Sequence, residues 1–226
     1  MNDNREMAVI ARIHTPFAGK FGVPRQSGLA PTEGRIVFAP AYRNPDALRG
    51  LEGFSHLWLI WVFDRAERKA WSPTVRPPRL GGNRRMGVFA TRSPFRPNPI
   101  GLSCVELAAV EWSTPDGPVL HVRGADLVDG TPILDIKPYL PYCDAKPQAT
   151  GGFTDGLTGG ALQVVCPPEL LARLPEKDRP GLLAVLGGDP RPRYQDDPER
   201  VYGLTYGHRN VKFRVAGDVL SVADVE

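Results

Sequence analysis

The segment from 91 to 103 (TRSPFRPNPIGLS) combines three prolines in six residues with side chains that can bind charged or planar groups. Proline fixes φ and lacks a backbone N–H, so this segment can form neither a helix nor a central strand. Arg92, Arg96 and Asn98 are therefore carried on a stiff, extended loop, where burial without partners would be costly. Such a loop is typical of a binding site rather than of a core.

A second candidate lies between residues 126 and 142 (DLVDGTPILDIKPYLPY). Asp-Gly-Thr-Pro at 129–132 is a turn signature, and a plain turn between strands is one interpretation. Asp135 and Lys137 are two residues apart, so they face the same side of a strand, and the surrounding apolar residues and prolines predict partial burial. Together with Tyr139 they could serve as acid, base or orienting groups, with a purely structural ion pair as the alternative.

The positive charge is concentrated just before the proline-rich loop. Between residues 65 and 96 nine basic residues stand against one acid, which is +8, so the net charge of +3 leaves −5 for the rest of the chain. The basic residues are Arg65, Arg68, Lys69, Arg76, Arg79, Arg84, Arg85, Arg92 and Arg96. A basic surface that is simply exposed to solvent is one interpretation of this excess of positive charge. The nearby Trp71 and Phe89 favour a polyanionic partner, because arginines and aromatic rings suit phosphates and unstacked bases.

Several common sites are missing from the sequence. It has no glycine pair spaced GxG, no GxxxxGK[ST] and no HExxH, which excludes a dinucleotide-type Rossmann loop and a P-loop. The four histidines are far apart, so we expect no metal site. The N-terminus lacks signal-peptide features, no apolar run reaches membrane-spanning length, and three cysteines without CxxC spacing predict buried free thiols. These features predict a cytoplasmic protein.

Many short strands with few helices must position these segments. We predict strands over 7–13, 35–38, 55–63, 87–91, 102–110, 119–123 and 133–136. The run at 55–63 (SHLWLIWVF) is nearly continuous, which is typical of a strand buried on both faces. Asn44 and Pro45 predict the start of a short helix. Regular short strands with glycine turns predict a barrel-like β domain over residues 1–149.

A glycine-rich linker is predicted at 150–160, followed by a smaller domain over 161–226. This domain should contain helices at 168–174 and 179–186 and a hairpin over 211–222. The fold class is therefore α+β and mainly β.

The proline-rich loop and the 126–142 segment closely resemble the TrmO (TsaA-like, YaeB-like) family of tRNA adenosine N6-methyltransferases. The resemblance covers most of the chain. It extends to FGVPRQSGL at 21–29, GLEGFSHLWLIWVF at 50–63, PTVRPPRLGGNRRMGVFAT at 73–91, DPRPRY at 189–194 and NVKFRV at 210–215.

The resemblance implies an S-adenosylmethionine site on a β-barrel rather than on a Rossmann sheet, which agrees with the missing GxG. It also implies a homodimer with cofactor sites near the subunit interface. The implied substrate is N6-threonylcarbamoyladenosine next to the anticodon of threonine tRNAs.

The resemblance also assigns residues by position. The cofactor contacts it implies are Pro24, Arg25, Gln26, Asp64, Arg65, Arg92, Leu102, Asp129, Gly130, Thr131 and Pro132. The family often has a histidine and an amide where this chain has Asp64 and Arg65, so main-chain contacts are what should carry over there. The family's Asp-Phe-Asn-Val is His-Arg-Asn-Val at 208–211 in this chain.

The target nitrogen needs a base, and the carboxylate of the threonylcarbamoyl group suits an arginine fork. We therefore predict catalytic roles for Asp135, Lys137 and Tyr139. The predicted substrate contacts are Arg84, Arg85, Arg96 and Asn98, with Arg92 also a candidate for the carboxylate. The alternatives are a non-catalytic RNA-binding barrel and a methyltransferase that acts on a substrate other than RNA.

Overall fold

Six strands close a barrel in the computed structural model, which describes residues 5–66, 71–77, 80, 84–155, 161–191 and 197–226. With the strands numbered along the chain, these are β1 (Ala11–His14), β2 (Glu33–Phe38), β3 (His56–Val62), β6 (Ile100–Glu111), β7 (Val119–Arg123) and β8 (Thr131–Pro138). Their order around the barrel is β1-β2-β7-β6-β3-β8, with β8 pairing back to β1, and neighbouring strands are antiparallel. The predicted mainly β fold with a barrel is confirmed.

The barrel core is built from alternate residues of each strand. In β3, Leu57, Leu59 and Trp61 are buried, whereas the intervening residues, such as Trp58 and Ile60, remain partly exposed on the outer face. The prediction that this strand is buried on both faces was therefore wrong. Its continuous apolar run resembles that of a parallel sheet, but a barrel has one interior and its outer face keeps some contact with solvent.

Short elements connect the strands. The predicted helix start is a 3-10 turn, Pro45–Leu48, and the Asn44 side chain caps it by accepting a bond from the Asp46 N–H at 3.0 Å. The predicted strand at 87–91 was wrong. A two-strand ribbon of β4 (Thr74–Val75) and β5 (Met86–Gly87) leads instead into the 3-10 turn Val88–Ala90, which the Thr91 hydroxyl closes on the Val88 carbonyl. Among the described residues, the barrel unit also contains the 3-10 turns Pro40–Tyr42 and Leu51–Gly53, and the one-turn helix α1 (Pro141–Asp144) follows β8.

The second unit is a four-stranded sheet with short helices. Its elements are β9 (Gln163–Val165), α2 (Pro168–Leu171), α3 (Arg179–Gly187), β10 (Tyr202–Tyr206), β11 (Arg209–Ala216) and β12 (Val219–Val225). A 3-10 turn, Gly152–Thr154, precedes this unit, and a second one, Glu176–Asp178, leads into α3. The strand order is β10-β11-β12-β9, and β9 runs parallel to β12. The sequence predicted both helices and the hairpin, but neither β9 nor β10.

The segment that follows β1 packs into the second unit rather than into the barrel. Phe17 is fully buried there and meets Tyr206 edge-to-face, with ring centroids 5.8 Å apart. The Gly207 N–H donates to the Pro16 carbonyl at 2.7 Å. Gly22 has φ +87°, and an added Cβ would lie 2.0 Å from the Leu204 side chain. The two units therefore share this segment, which leads directly into the cofactor loop predicted at 24–26.

None of the three cysteines forms a disulfide, but their burial differs from the prediction. Cys104 and Cys166 are partly buried, and Cys143 is exposed. Within the described ranges, no helix is long and apolar enough to cross a membrane.

Candidate functional site

A cavity of about 810 Å³ opens at the rim of the barrel. Its walls come from the loop around Gln26, the end of β3, the proline-rich loop, the start of β6 and the chain that leads into β8. A volume of this size is typical of a site for a cofactor or a drug-sized molecule. The proline-rich loop therefore forms one wall of this cavity.

The floor of the cavity is aromatic. The rings of Trp61 and Phe63 lie 4.2 Å apart, centroid to centroid. Gly101 is directly opposite Trp61 in the β3–β6 pairing, and a Cβ at this position would lie 2.2 Å from an indole carbon. Glycine at 101 therefore makes room for the indole against the β6 backbone.

A short hydrogen-bonded chain runs from this floor to a carboxylate. The Trp61 Nε1–H donates to Ser103 Oγ at 3.0 Å, and the Ser103 hydroxyl donates to Asp126 Oδ1 at 2.5 Å. Ser103 is buried, and Asp126 lines the cavity. Burial raises the pKa of Asp126, although the bond from Ser103 and the positive charge of Arg92 act in the opposite direction. The cavity thus contains one carboxyl group that holds its proton to a higher pH than an exposed aspartate.

Arg92 joins two walls of the cavity. Its guanidinium donates to the Gln26 side-chain oxygen, across 66 residues of sequence. Pro24, Arg25 and Gln26, which are predicted cofactor contacts, line the cavity, and the Arg25 guanidinium donates to the main-chain carbonyl of Asp189 at 3.0 Å. The second unit therefore contacts the predicted cofactor loop directly.

Asp64 and Arg65 line the cavity immediately after β3. The Arg65 guanidinium donates to the carbonyls of Ala18 and Asp129, at 3.1 and 2.8 Å. The Arg65 carbonyl in turn accepts from the Lys20 ammonium at 2.6 Å. The Arg65 side chain thus links the end of β3 to the predicted turn.

The predicted turn at 129–132 contributes to the cavity unequally. Thr131 lines it, as do Arg92 and Leu102, whereas Asp129, Gly130 and Pro132 are not part of its lining. The Asp129 carboxylate accepts from the Thr15 N–H at 3.1 Å and lies 3.2 Å from a His14 ring nitrogen. The Asp129 side chain therefore supports the turn and faces β1.

The three predicted catalytic residues do not line the cavity. Asp135 and Lys137 form an ion pair of 2.8 Å, with side chains 46% and 61% exposed, so the predicted partial burial holds for Asp135 but not for Lys137. Tyr139 packs against Trp58, with ring centroids 5.8 Å apart. These contacts lie on the outer face of the barrel because Asp135 and Lys137 pair with the outward residues of β3. An acid–base role for the three stays a prediction that this placement does not support.

The predicted substrate residues fall into two groups. Arg96 and Asn98 line the cavity, and one Arg96 guanidinium nitrogen donates to the Thr91 carbonyl at 3.1 Å, which orients the fork. Arg84 and Arg85 are exposed and lie outside the cavity lining. Three members of the basic window, Arg68, Lys69 and Arg79, lie outside the described residues.

An exposed aromatic pair lies at the edge of the cavity. The side chains of Trp71 and Phe89 are 52% and 74% exposed, their ring centroids lie 6.4 Å apart, and Phe89 also lines the cavity. Large exposed aromatic rings beside arginines provide stacking surfaces for unpaired bases. The sequence places both rings near the basic residues but does not predict that they form a pair.

Sequence reasoning missed Trp61, Ser103 and Asp126. Ser103 is the last residue of the 91–103 segment, and Asp126 is the first residue of the 126–142 segment. Their polar side chains at the ends of these two segments were the sequence feature that could have identified them. No spacing rule could have joined them, because the barrel brings β3, β6 and the chain before β8 together. Among the described residues, no group of three or more His, Cys, Asp or Glu side chains could hold a metal ion.

The family model for the tRNA-methyltransferase O N-terminal domain matches residues 12–145, and the model for the TrmO C-terminal domain matches residues 161–226. These matches place the closed barrel, with its rim cavity and small second unit, in a class of tRNA methyltransferases whose fold is not a Rossmann sheet. The chain belongs to the tRNA-methyltransferase O (TrmO) family, as its motifs indicated.

Similarity to known proteins covers nearly the whole chain for the bacterial relatives and part of it for the human one. A tRNA (adenine(37)-N6)-methyltransferase of Escherichia coli is 45% identical over 215 residues, which is 91% of both chains. The human protein of that name is 38% identical over 139 residues, 60% of this chain and 30% of its own. A crystal structure of TrmO from P. aeruginosa superimposes with a TM-score of 0.81 at 34% identity, covering 100% of this chain and 98% of that one.

Proposed function

We propose that this protein transfers a methyl group from S-adenosylmethionine to N6 of threonylcarbamoyladenosine, next to the anticodon of threonine tRNA. The observation that carries the proposal is the rim cavity, built from the motifs that make the chain a TrmO family member. The family establishes the enzyme class, an S-adenosylmethionine-dependent tRNA methyltransferase. The modified base and the choice of tRNA are the proposed part.

The cavity residues fit S-adenosylmethionine. The cofactor has a flat purine, which suits the apolar surface made by Phe63, Ile100 and Leu102. It also has polar ends, which the Gln26–Arg92 pair and the main chain of the neighbouring loops would hold. When bound, the cofactor supplies a methyl group on a positively charged sulfur. The chain then has to exclude water and align the acceptor nitrogen, which contributes much of the rate in such a displacement.

Arg96 is the proposed anchor of the threonylcarbamoyl group. Its side chain is partly buried at the cavity wall, and the Thr91 carbonyl holds one guanidinium nitrogen in place. A planar fork fixed in this way can bind a carboxylate through two parallel bonds, which an ammonium cannot do. Asn98 lies on the same wall and offers further donors.

The anticodon loop would reach the cavity over the basic window. Its bases are already unpaired, so one base can enter the cavity without melting a duplex. Trp71 and Phe89 would stack on an adjoining base, while Arg84 and Arg85 contact phosphates. A cytoplasmic location follows from this substrate.

A homodimer is also part of the proposal. Leu102, at the start of β6, is an apolar side chain of the cavity wall that is 52% exposed. A second subunit that covered this wall would bury it close to the site. Light scattering after size exclusion should give about twice the chain mass of 24.7 kDa.

Labelled methyl transfer tests the proposal. The purified chain would receive labelled S-adenosylmethionine and one of three RNAs: threonylcarbamoylated threonine tRNA, the same tRNA unmodified, or a threonylcarbamoylated tRNA of another specificity. We expect label in the first RNA and little in the other two. Equal labelling of the unmodified tRNA would refute the substrate, and labelling of a small molecule or protein alone would refute RNA methylation.

The variant Arg96→Lys sharpens the test, because it keeps the charge and loses the fork. We expect it to lose most of its activity on the modified tRNA and to keep its affinity for S-adenosylmethionine. Arg49→Lys, on an exposed turn and paired with Asp46, is the matched control. Equal activity of the two variants would contradict the assignment of Arg96.

A further inference from the structure

Asp64 and Asp126 both line the cavity, and a barrel side chain holds the carboxyl group of Asp126 in place. Asp126 lies on the connection between β7 and β8, and its Oδ1 accepts the Ser103 hydroxyl at 2.5 Å. Ser103 is only 1% exposed, and its oxygen accepts the indole N–H of Trp61 at 3.0 Å. Both partners lie on barrel strands, so the direction of the carboxylate is fixed by rigid elements rather than by a loop.

We infer that Asp126 is the general base of the methyl transfer, receiving the proton of the acceptor nitrogen. This inference rests on the proposed function, because it requires N6 as the acceptor. N6 is bonded to the purine and to a carbonyl, so its lone pair is delocalised while it keeps its proton. Transfer of that proton to Asp126 releases the electron pair, which forms the N–CH₃ bond. The bond between sulfur and methyl breaks, its electrons stay on sulfur, and a neutral thioether leaves.

The surroundings of Asp126 suit a proton acceptor. Burial raises the pKa of its carboxyl above the ordinary value, which brings proton affinity closer to the working pH. Ser103 and the main-chain N–H of Ser27 contact it, and neither titrates near neutrality. Among the described residues, Arg92 is the charged group that acts on Asp126, and its positive charge favours the ionised form of the carboxyl, which can accept a proton.

Asp135 is the alternative candidate for the general base, as predicted from the sequence. Its carboxylate is 46% exposed, pairs with Lys137 at 2.8 Å and is not part of the cavity wall. A surface ion pair of this kind has little influence on chemistry elsewhere. Asp126 faces the cavity, so it can reach a nitrogen bound there.

Single-turnover kinetics of Asp126→Asn test the inference, at saturating S-adenosylmethionine and threonylcarbamoylated tRNA. We expect a rate loss of roughly 100-fold or more, since general bases contribute about 10²–10⁴. The calorimetric Kd for S-adenosylmethionine should stay within about twofold. Asp116→Asn, an exposed aspartate paired with Arg43, is the control and should keep the wild-type rate. The acid limb of the wild-type pH–rate profile should disappear in Asp126→Asn.

A readout without substrate is available in the tryptophan fluorescence of the free protein. Trp61 is linked to Asp126 through Ser103, so its emission should follow protonation of the carboxyl as pH is lowered. The titration should be lost in Asp126→Asn and in Trp61→Phe, and kept in Asp116→Asn. Thermal unfolding of each variant checks that it folds.

Three results would overturn the inference. One is a wild-type rate in Asp126→Asn. Another is a Kd for S-adenosylmethionine weakened tenfold with the saturated rate kept, which would make Asp126 a cofactor ligand. The third is a large rate loss confined to Asp135→Asn. If the wild-type protein does not methylate the modified tRNA at all, the proposed substrate is refuted. The fluorescence titration then still shows whether the Asp126 carboxyl ionises and whether Trp61 emission reports that ionisation.

Discussion

Substitution of Gly101 tests how closely the cavity floor is packed. Gly101→Ala adds one methyl group, and its carbon would lie 2.2 to 2.5 Å from three atoms of the Trp61 indole. Carbon atoms do not approach within about 3.5 Å without repulsion. Because β6 is paired with β3 at this point, the indole rather than the strand should move.

Two costs follow from that movement. Overpacking of a tight core costs about 1–3 kcal/mol. Moving the indole also breaks the 3.0 Å bond from Trp61 to Ser103, and an unpaired buried donor costs about 1–3 kcal/mol. Partial relaxation lowers the sum, so we expect the free energy of unfolding to fall by about 2–4 kcal/mol. For a chain of this size this corresponds to a Tm lower by about 5–15 °C.

The measurement is thermal and urea unfolding, with tryptophan fluorescence as the probe. Gly53→Ala is the matched control, because no atom lies within 4 Å of the added Cβ and the φ angle of Gly53 is not positive. It should change Tm by no more than about 2 °C, as expected of a surface substitution. Equal stability of Gly101→Ala and Gly53→Ala, with unchanged emission, would refute the close approach of the indole.

Three further predictions concern RNA binding and acid stability. Arg84→Gln and Arg85→Gln should each reduce the magnitude of the negative slope of log K against log salt for tRNA binding by roughly 0.7–0.9. Filter binding measures this slope, and an unchanged slope would exclude phosphate contacts by these two residues. Trp71→Ala should weaken tRNA binding by about 1–3 kcal/mol and leave S-adenosylmethionine binding unchanged, and unaltered tRNA affinity would contradict stacking. The main-chain N–H of Leu140, followed by an indole N–H, lowers the pKa of Asp144, so this carboxylate stabilises the fold above its unfolded pKa and loses the effect as pH falls through the folded value. Asp144→Asn should therefore remove part of the acid destabilisation seen in urea unfolding between about pH 6 and 2, and identical pH profiles would refute this.

Local sequence rules predicted the elements with strong local signals. The strand at 119–123 and the helix start at 179 agree with the structure because alternation and proline at a first helical position act within a few residues. The prediction of a strand at 87–91 was wrong because two local structures compete there. A 3-10 turn closed by the Thr91 hydroxyl competes with extended structure, and apolar content alone does not distinguish the two.

The candidate site was predicted unevenly. Arg92, Arg96 and Asn98 were assigned to a binding loop and do line the cavity, because three prolines leave the loop few conformations. Asp135 and Lys137 were assigned to catalysis on their spacing, which places them correctly on one side of β8. Spacing does not say whether that side faces the interior, the cavity or solvent.

By itself, the sequence determined the stiffness of the 91–103 loop, the concentration of positive charge before it and the membership of the family. These are properties of neighbouring residues and need no long-range contact. The tertiary structure decided which groups share the cavity. Trp61, Ser103 and Asp126 come from three separate parts of the chain, and only the closed pairing of β3 with β6 and β8 brings them within hydrogen-bonding distance. Asp126 therefore lines the cavity with its carboxylate bonded to Ser103, whereas Asp135 pairs with Lys137 on the outer face of the barrel.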